Sequence, residues 1–235
     1  MLKALVGRYY LAAALLVLSA GMARADQITT LYSTGVDGSG NVLADGAQDT
    51  HYTLTSYPGT FGPNTFVADT TKYPLSGGPW VGNLSNAKWI GPVADQTTIP
   101  GSGANNGSGY YTYETTFDLT GFDFTTAHIT GQYSSDNSVE IYLNGVDTGI
   151  GQNYETVFKS LHSLDITSGF IAGINTLQFV VYNIPINSNN PTGIIAQLSG
   201  TAAVPEPASA SLGLIAIVGG LAGRKWLRRL IRRQS

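Results

Sequence analysis

The chain contains no cysteine and only 12 basic residues among 235. Without cysteine there is no disulfide framework, no thiolate metal centre and no thiol nucleophile. Histidine is nearly as scarce. His51, His128 and His162 are the whole complement, too few and too scattered for a zinc site. His51 lies one residue beyond Asp49-Thr50, so imidazole and carboxylate could share one strand face, but further ligands are missing. No serine has a glycine two positions before it, which removes the Gly-x-Ser-x-Gly nucleophile elbow. The glycine run from Gly101 to Gly107 has the wrong spacing for a dinucleotide turn and no P-loop lysine, and reads as a loop.

Positive charge is sparse in the middle of the chain. Lys3, Arg8 and Arg24 lie at one end, and Arg224, Lys225, Arg228, Arg229, Arg232 and Arg233 at the other, leaving Lys72, Lys88 and Lys159 between. Residues 26–203 carry 14 acidic residues against these three lysines, eleven net negative charges. Such a body repels phosphate backbones, so nucleic acid is excluded as a partner. Fourteen acids offer many pairs for glycoside hydrolysis, yet no spacing singles one out. The chain is therefore read as non-enzymatic, with no cofactor.

Both termini read as addresses. Residues 1–25 combine Lys3 and Arg8, an apolar run from Tyr9 to Leu18 and the small residues Ala23 and Ala25 ahead of Asp26. That is the order of a secretory signal peptide, cut by signal peptidase after Ala25. A retained anchor is the alternative, disfavoured because a spanning helix wants about 20 apolar residues. Residues 204–235 hold Val204-Pro205-Glu206-Pro207, an apolar segment at 208–223 and a basic tail at 224–235. Sixteen helical residues reach about 24 Å, short for a bilayer core. Arg224, Lys225, Arg228, Arg229, Arg232 and Arg233 would stay cytoplasmic and place the body outside.

This three-part end resembles the PEP-CTERM sorting signal, on Pro205, Glu206, Pro207, the apolar segment and the basic tail. The resemblance implies a bacterial exported protein whose tail is recognised and removed by an exosortase, a role around exopolysaccharide or biofilm matrix, and an inner-membrane precursor maturing at the cell surface. The partners it implies are the export machinery, signal peptidase, the exosortase and polysaccharide. The proline after Glu206 keeps that residue extended, as a processing enzyme could read it. A stiff stop before an ordinary tail anchor is the plainer alternative.

Residues 26–203 read as one all-β domain. Period-two alternation puts Tyr111, Tyr113, Thr115, Phe117 and Leu119 on one face, and likewise Val139, Ile141 and Leu143, then Leu177, Phe179 and Val181, then Ile194, Ala196 and Leu198. Asn144-Gly145 is a turn signal. Many short strands and no helical periodicity predict a sandwich or jelly roll. The segment 127–202 resembles galactose-binding-like jelly rolls, on Ser135-Asp136-Asn137, Val139 through Gly145, Gly173 through Leu177 and Pro191-Thr192-Gly193. That resemblance implies a fold, and ligands only weakly.

A sugar site needs an aromatic platform with polar neighbours. Trp80, Trp89, Tyr110, Tyr142, Asp136, Asn137 and Asn144 are the residues of suitable type, although tryptophan in a sandwich is commonly core. A lectin-like module is thus the alternative to a purely structural surface protein. Asp37, Asn41 and Asp45 offer oxygens for a structural calcium in a glycine-rich loop that lacks the full helix-loop-helix ligand pattern; solvated turns explain them equally.

Overall fold

The computed structural model describes residues 24–59, 61–99, 107–186 and 188–205. Ala23, Glu206, Pro207, the apolar segment 208–223 and the six basic residues of the tail lie outside the described residues. Ala25–Ala203 forms one compact unit. Among the described residues no helix is long and apolar enough to cross a membrane.

The domain is all-β. Eleven strands follow in chain order: β1 (Ala25–Gln27), β2 (Gln48–Ser56), β3 (Asn64–Val67), β4 (Ile90–Gly91), β5 (Gly109–Asp118), β6 (Asp123–Asp136), β7 (Ser138–Leu143), β8 (Val146–Gln152), β9 (His162–Ile166), β10 (Ile174–Asn183) and β11 (Gly193–Ala203). Two single 3₁₀ turns, Gln96–Thr98 and Val157–Lys159, complete the regular structure. The hydrogen-bonded order is β8-β7-β10-β5-β2-β3-β4-β11-β6-β9, antiparallel throughout, with β1 added on β11. Short β3 and β4 carry the ladder from one layer to the other, so that β10 faces β6 and β11 across the core. The result is a two-layer β-sandwich.

Sequence alternation accounts for the core directly. Tyr111, Tyr113, Thr115, Phe117, Val139, Ile141, Leu143, Leu177, Phe179, Val181, Ile194, Ala196 and Leu198 are all buried. Their rings and aliphatic chains meet between the layers, as where Tyr133 of β6 lies 6.4 Å from Phe179 of β10. Each such side chain is worth about 1.5–3 kcal/mol when moved out of water. Asn144 and Gly145 both take positive φ (53° and 78°) and close the β7–β8 hairpin in two residues, with Leu143 opposite Val146. That backbone shape matches the twist of the strands it joins.

A second, smaller cluster lies outside the sandwich. Ile195 points away from the main core and is covered by Trp89, Trp80, Ala68 and Ala87. The long segment between β3 and β4 therefore folds over the outer face of β11. At the opposite end of β11, Ala203 pairs with Ala25 of β1 and with Asp123 of β6, whereas Gly193 pairs with Asp136. Ala25 and Ala203 thus sit at one end of the sandwich, and the β6–β7 and β10–β11 connections at the other.

Candidate functional site

At the end remote from Ala25 and Ala203 is a cavity of about 590 Å³, lined by Tyr73, Pro74, Pro79, Trp80, Thr97, Asp136, Asn137, Phe158, Ile186 and Ser188 through Pro191. Its size falls in the range of small-molecule sites. Five separate connections contribute, and two of them bring cis peptides, Tyr73–Pro74 and Asp136–Asn137, to the wall.

Trp80 and Asp136 form the centre of that wall. The Trp80 indole Nε1 donates to Asp136 Oδ2 at 2.8 Å, and the Trp80 ring stacks on Trp89 with centroids 4.0 Å apart. Trp80 is 5% exposed and Asp136 7%, so only an edge of each reaches the cavity. Burial raises the Asp136 carboxyl from 3.8 to about 7, outweighing the Trp80 hydrogen bond that favours the ionised form. Near neutral pH this group is therefore available in both protonation states. The backbone carbonyl of Asp136 accepts from Thr192 Oγ1 at 2.9 Å, and the Thr192 amide donates to Gln96 Oε1 at 3.0 Å. A buried polar layer thus fixes the floor.

Asn137 acts as a clamp. Its Oδ1 accepts from the Ile184 amide at 2.9 Å, its Nδ2 donates to the Glu155 carbonyl at 2.7 Å, and its own amide donates to the Tyr182 carbonyl at 3.3 Å. The side chain ties the start of β7 to the end of β10. Around this fixed centre, Tyr73 and Asn189 are exposed while Thr97 and Phe158 are half-buried. Rings, proline faces and a few hydroxyls, amides and one carboxyl converge. Among the described lining residues there is no lysine or arginine, and Asp136 is the single carboxylic acid.

The structure brings Trp80, Asp136 and Asn137 together, packs Trp89 behind Trp80, and places Asn144 and Tyr142 away from the cavity. Trp89 has 0% exposure and cannot serve as a platform; it fills the cluster beneath Trp80 because Ile195 needs an apolar cover. Its Nε1 donates to the Val81 carbonyl at 2.8 Å. Asn144 is a turn residue, with Nδ2 donating to Gly169 O and Asn175 Oδ1 and Oδ1 accepting from Thr176 N. It stands at the far end of β7 from the cavity, about 20 Å by strand rise. Tyr142 lies on the outer face of the same strand, its hydroxyl donating to Glu140 Oε2 at 3.0 Å.

The candidate calcium oxygens are held in hydrogen bonds and an ion pair. Asp37 accepts from the Ser39 and Asn41 amides at 2.8 and 2.9 Å and from Asn41 Nδ2 at 3.3 Å. Asp45 is ion-paired with Lys88 Nζ at 3.0 Å and accepts from Thr70. Both carboxylates are thus engaged in holding loops. Among the described residues no three His, Cys, Asp or Glu side chains group for a metal. His51 stacks on Tyr32 at 3.6 Å, while Asp49 accepts from the Gly35 and His51 backbone amides.

Of the address residues, Ala25 opens β1 and Pro205 is exposed two residues beyond β11. Tyr73, Thr97, Phe158 and Asn189 are among the cavity residues that sequence reasoning missed. The Asn189-Asn190-Pro191 run before the last strand was the one local signal, since paired amides ahead of a proline mark a fixed polar turn.

The chain matches no family model and no curated protein sequence. Solved structures with some likeness are CBM35 from Paenibacillus barcinonensis (15% identity, 68% of this chain and 100% of that one, TM-score 0.34) and a family 35 carbohydrate binding module from Clostridium thermocellum (17%, 66% and 94%, TM-score 0.27). A third is the CBM36-1 domain of a multidomain xylanase from the hindgut metagenome of Trinervitermes trinervoides (12%, 79% and 100%, TM-score 0.27). At these TM-scores the likeness carries nothing about what this chain binds.

Proposed function

We propose that residues 26–203 are a non-catalytic carbohydrate-binding domain of an exported bacterial surface protein, with the saccharide seated against Trp80, Tyr73 and Phe158 in the end cavity. The observation that carries this reading is the convergence of aromatic walls and neutral hydrogen-bonding groups on one cavity whose centre is a buried Trp80–Asp136 pair. Sugars present apolar C–H faces and hydroxyls together, and such a mixture is what rings beside amides and a carboxyl complement. A lone carboxyl favours binding over hydrolysis, which uses two. The finer architectural reading, a galactose-binding-like jelly roll, is part of the same proposal, supported by the Ser135-Asp136-Asn137 and Pro191-Thr192-Gly193 segments meeting at this cavity.

A glycan array of the purified protein tests the binding, with Tyr73→Ala, Phe158→Ala and Asn189→Ala as controls whose side chains reach the cavity without being fully buried. Retained folding with at least tenfold weaker binding in these variants is expected; a blank array for the wild-type protein defeats the proposal.

Delivery and processing form the second part of the proposal, resting on residues 1–25 and on Pro205-Glu206-Pro207 with the tail behind them. Exosortase removal of the tail, association with exopolysaccharide, and maturation from a membrane-anchored precursor to the cell surface follow from that signal. Intact mass of the surface-extracted protein tests it. A mass beginning at Asp26 and ending near residue 205 is expected, and one extending to Ser235 rejects tail processing in favour of a plain anchor.

A further inference from the structure

We propose that the saccharide site does not end at the cavity but continues over the Asn137–Ser138 rim onto the outer face of β5, β10 and β7, where Tyr110 and Tyr182 form a stacking platform for the next units of a neutral polysaccharide chain. This rests on the carbohydrate reading of the cavity.

The placement follows from strand register. Tyr182 pairs with Tyr110 on β5 and with Ser138 on β7, and alternation directs both tyrosines away from the core. Their rings meet at 4.8 Å with a 42° tilt, and Tyr110 remains 61% exposed. A large ring left mostly in water beside a second ring is a preformed apolar surface. It borders a separate cavity of about 290 Å³ whose lining includes Glu140, Gln152, Asn153 and Val180. Acceptors and amides thus flank the rings, as hydroxyl recognition requires.

Continuity with the first cavity comes from Asn137. That residue lines the end cavity, and the next one, Ser138, lines the outer one. The Asn137 amide is held by the Tyr182 carbonyl and its side chain holds the Ile184 amide. Tyr182 lies opposite Ser138 and one residue along β7 from Asn137, about 3.4 Å of strand, so the tyrosine platform adjoins the pocket rim. The rim is a fixed seam between two strands, so both surfaces keep their relation without a ligand.

Charge selects the occupant. Neither cavity has a lysine or arginine among its described lining residues, and the outer one adds Glu140. An anionic chain is thus disfavoured here. A second copy of the domain would bring another eleven net negative charges and is disfavoured for the same reason. A neutral chain with apolar ring faces meets neither objection.

The test is calorimetry of the purified full chain with gluco-, manno- and xylo-oligosaccharides, each from monosaccharide to hexasaccharide. In whichever series binds, wild-type affinity should rise with chain length. A Tyr110→Ala/Tyr182→Ala double variant should lose roughly tenfold for the hexasaccharide, flattening that rise. Tyr110→Ala alone, which removes a ring already mostly in water, should move in the same direction with the fold intact by circular dichroism. An undiminished length dependence in both variants, alongside lost binding in Tyr73→Ala and Asn189→Ala, overturns this extension and keeps the cavity. Absence of wild-type binding to every series defeats both. A wild-type dimer in sedimentation that the double variant abolishes also overturns it, assigning the tyrosines to self-association.

Discussion

Replacing Asp136 by asparagine should change how the stability of the domain depends on pH. The folded-state carboxyl sits at about 7 against an ordinary 3.8, because burial penalises its charge. Folded protein therefore binds the proton more tightly than unfolded chain. Below 3.8 both states are protonated and the group opposes folding in neither. Between 3.8 and 7 the unfolded chain ionises first, and the contribution of Asp136 is lost at about 1.4 kcal/mol per pH unit. Above 7 the loss is complete at about 4 kcal/mol. Asparagine keeps an oxygen that can accept from Trp80 Nε1 but cannot ionise. The free-energy difference between Asp136→Asn and wild type should accordingly grow in favour of the variant by up to about 4 kcal/mol between about pH 4 and about pH 8. Other carboxylates cancel in that difference. Asp49, raised by burial, and Asp37, lowered by the Asn41 and Ser39 amides, are present in both proteins. Urea titrations followed by the fluorescence of the stacked tryptophans supply the measurement. Parallel stability curves for the two proteins across this range would refute the assignment of a buried, neutral-range carboxyl to this cavity.

Three further outcomes test the packing. Trp89→Ala should cost about 3–5 kcal/mol in urea unfolding, since it empties the centre of the outer cluster and leaves Trp80 without its stacking partner. Gly131→Ala should cost about 3 kcal/mol, because a Cβ there would lie 2.0 Å from the Gln197 carbonyl across the β6–β11 ladder; a neutral substitution would contradict that register. Asn144→Ala should cost about 2–3 kcal/mol through the lost bonds to Gly169, Asn175 and Thr176, read as a lowered urea midpoint, while sugar binding by the distant cavity stays as in wild type.

The core was legible in the sequence because its long strands have one wet face, so a period of two survives in Tyr111 through Phe117 and in Leu177 through Val181. Ile195 defeats that logic. Its outward face is covered by residues from a different segment, and a strand buried on both sides loses its alternation. The same fold-over explains the tryptophans. From their local sequences alone Trp80 and Trp89 look equivalent, yet one reaches the cavity and the other serves as its backing. Asp136 and Asn137 stood out through the Ser135-Asp136-Asn137 segment that carries the jelly-roll resemblance. Their partners Thr97, Phe158 and Asn189 lie roughly 20 to 60 residues away along the chain, and no periodicity links side chains assembled from separate loops.

Pairing of Ala25 with Ala203 at one end, and of Asp136 with Gly193 at the other, gives the molecule a handle and a working tip. Ten residues of β11 separate them, about 34 Å along the strand. Ala25 and Ala203 stand side by side at the end of the sandwich away from the cavity. A substitution on β1 or in the last residues of β11 therefore touches no wall of the cavity.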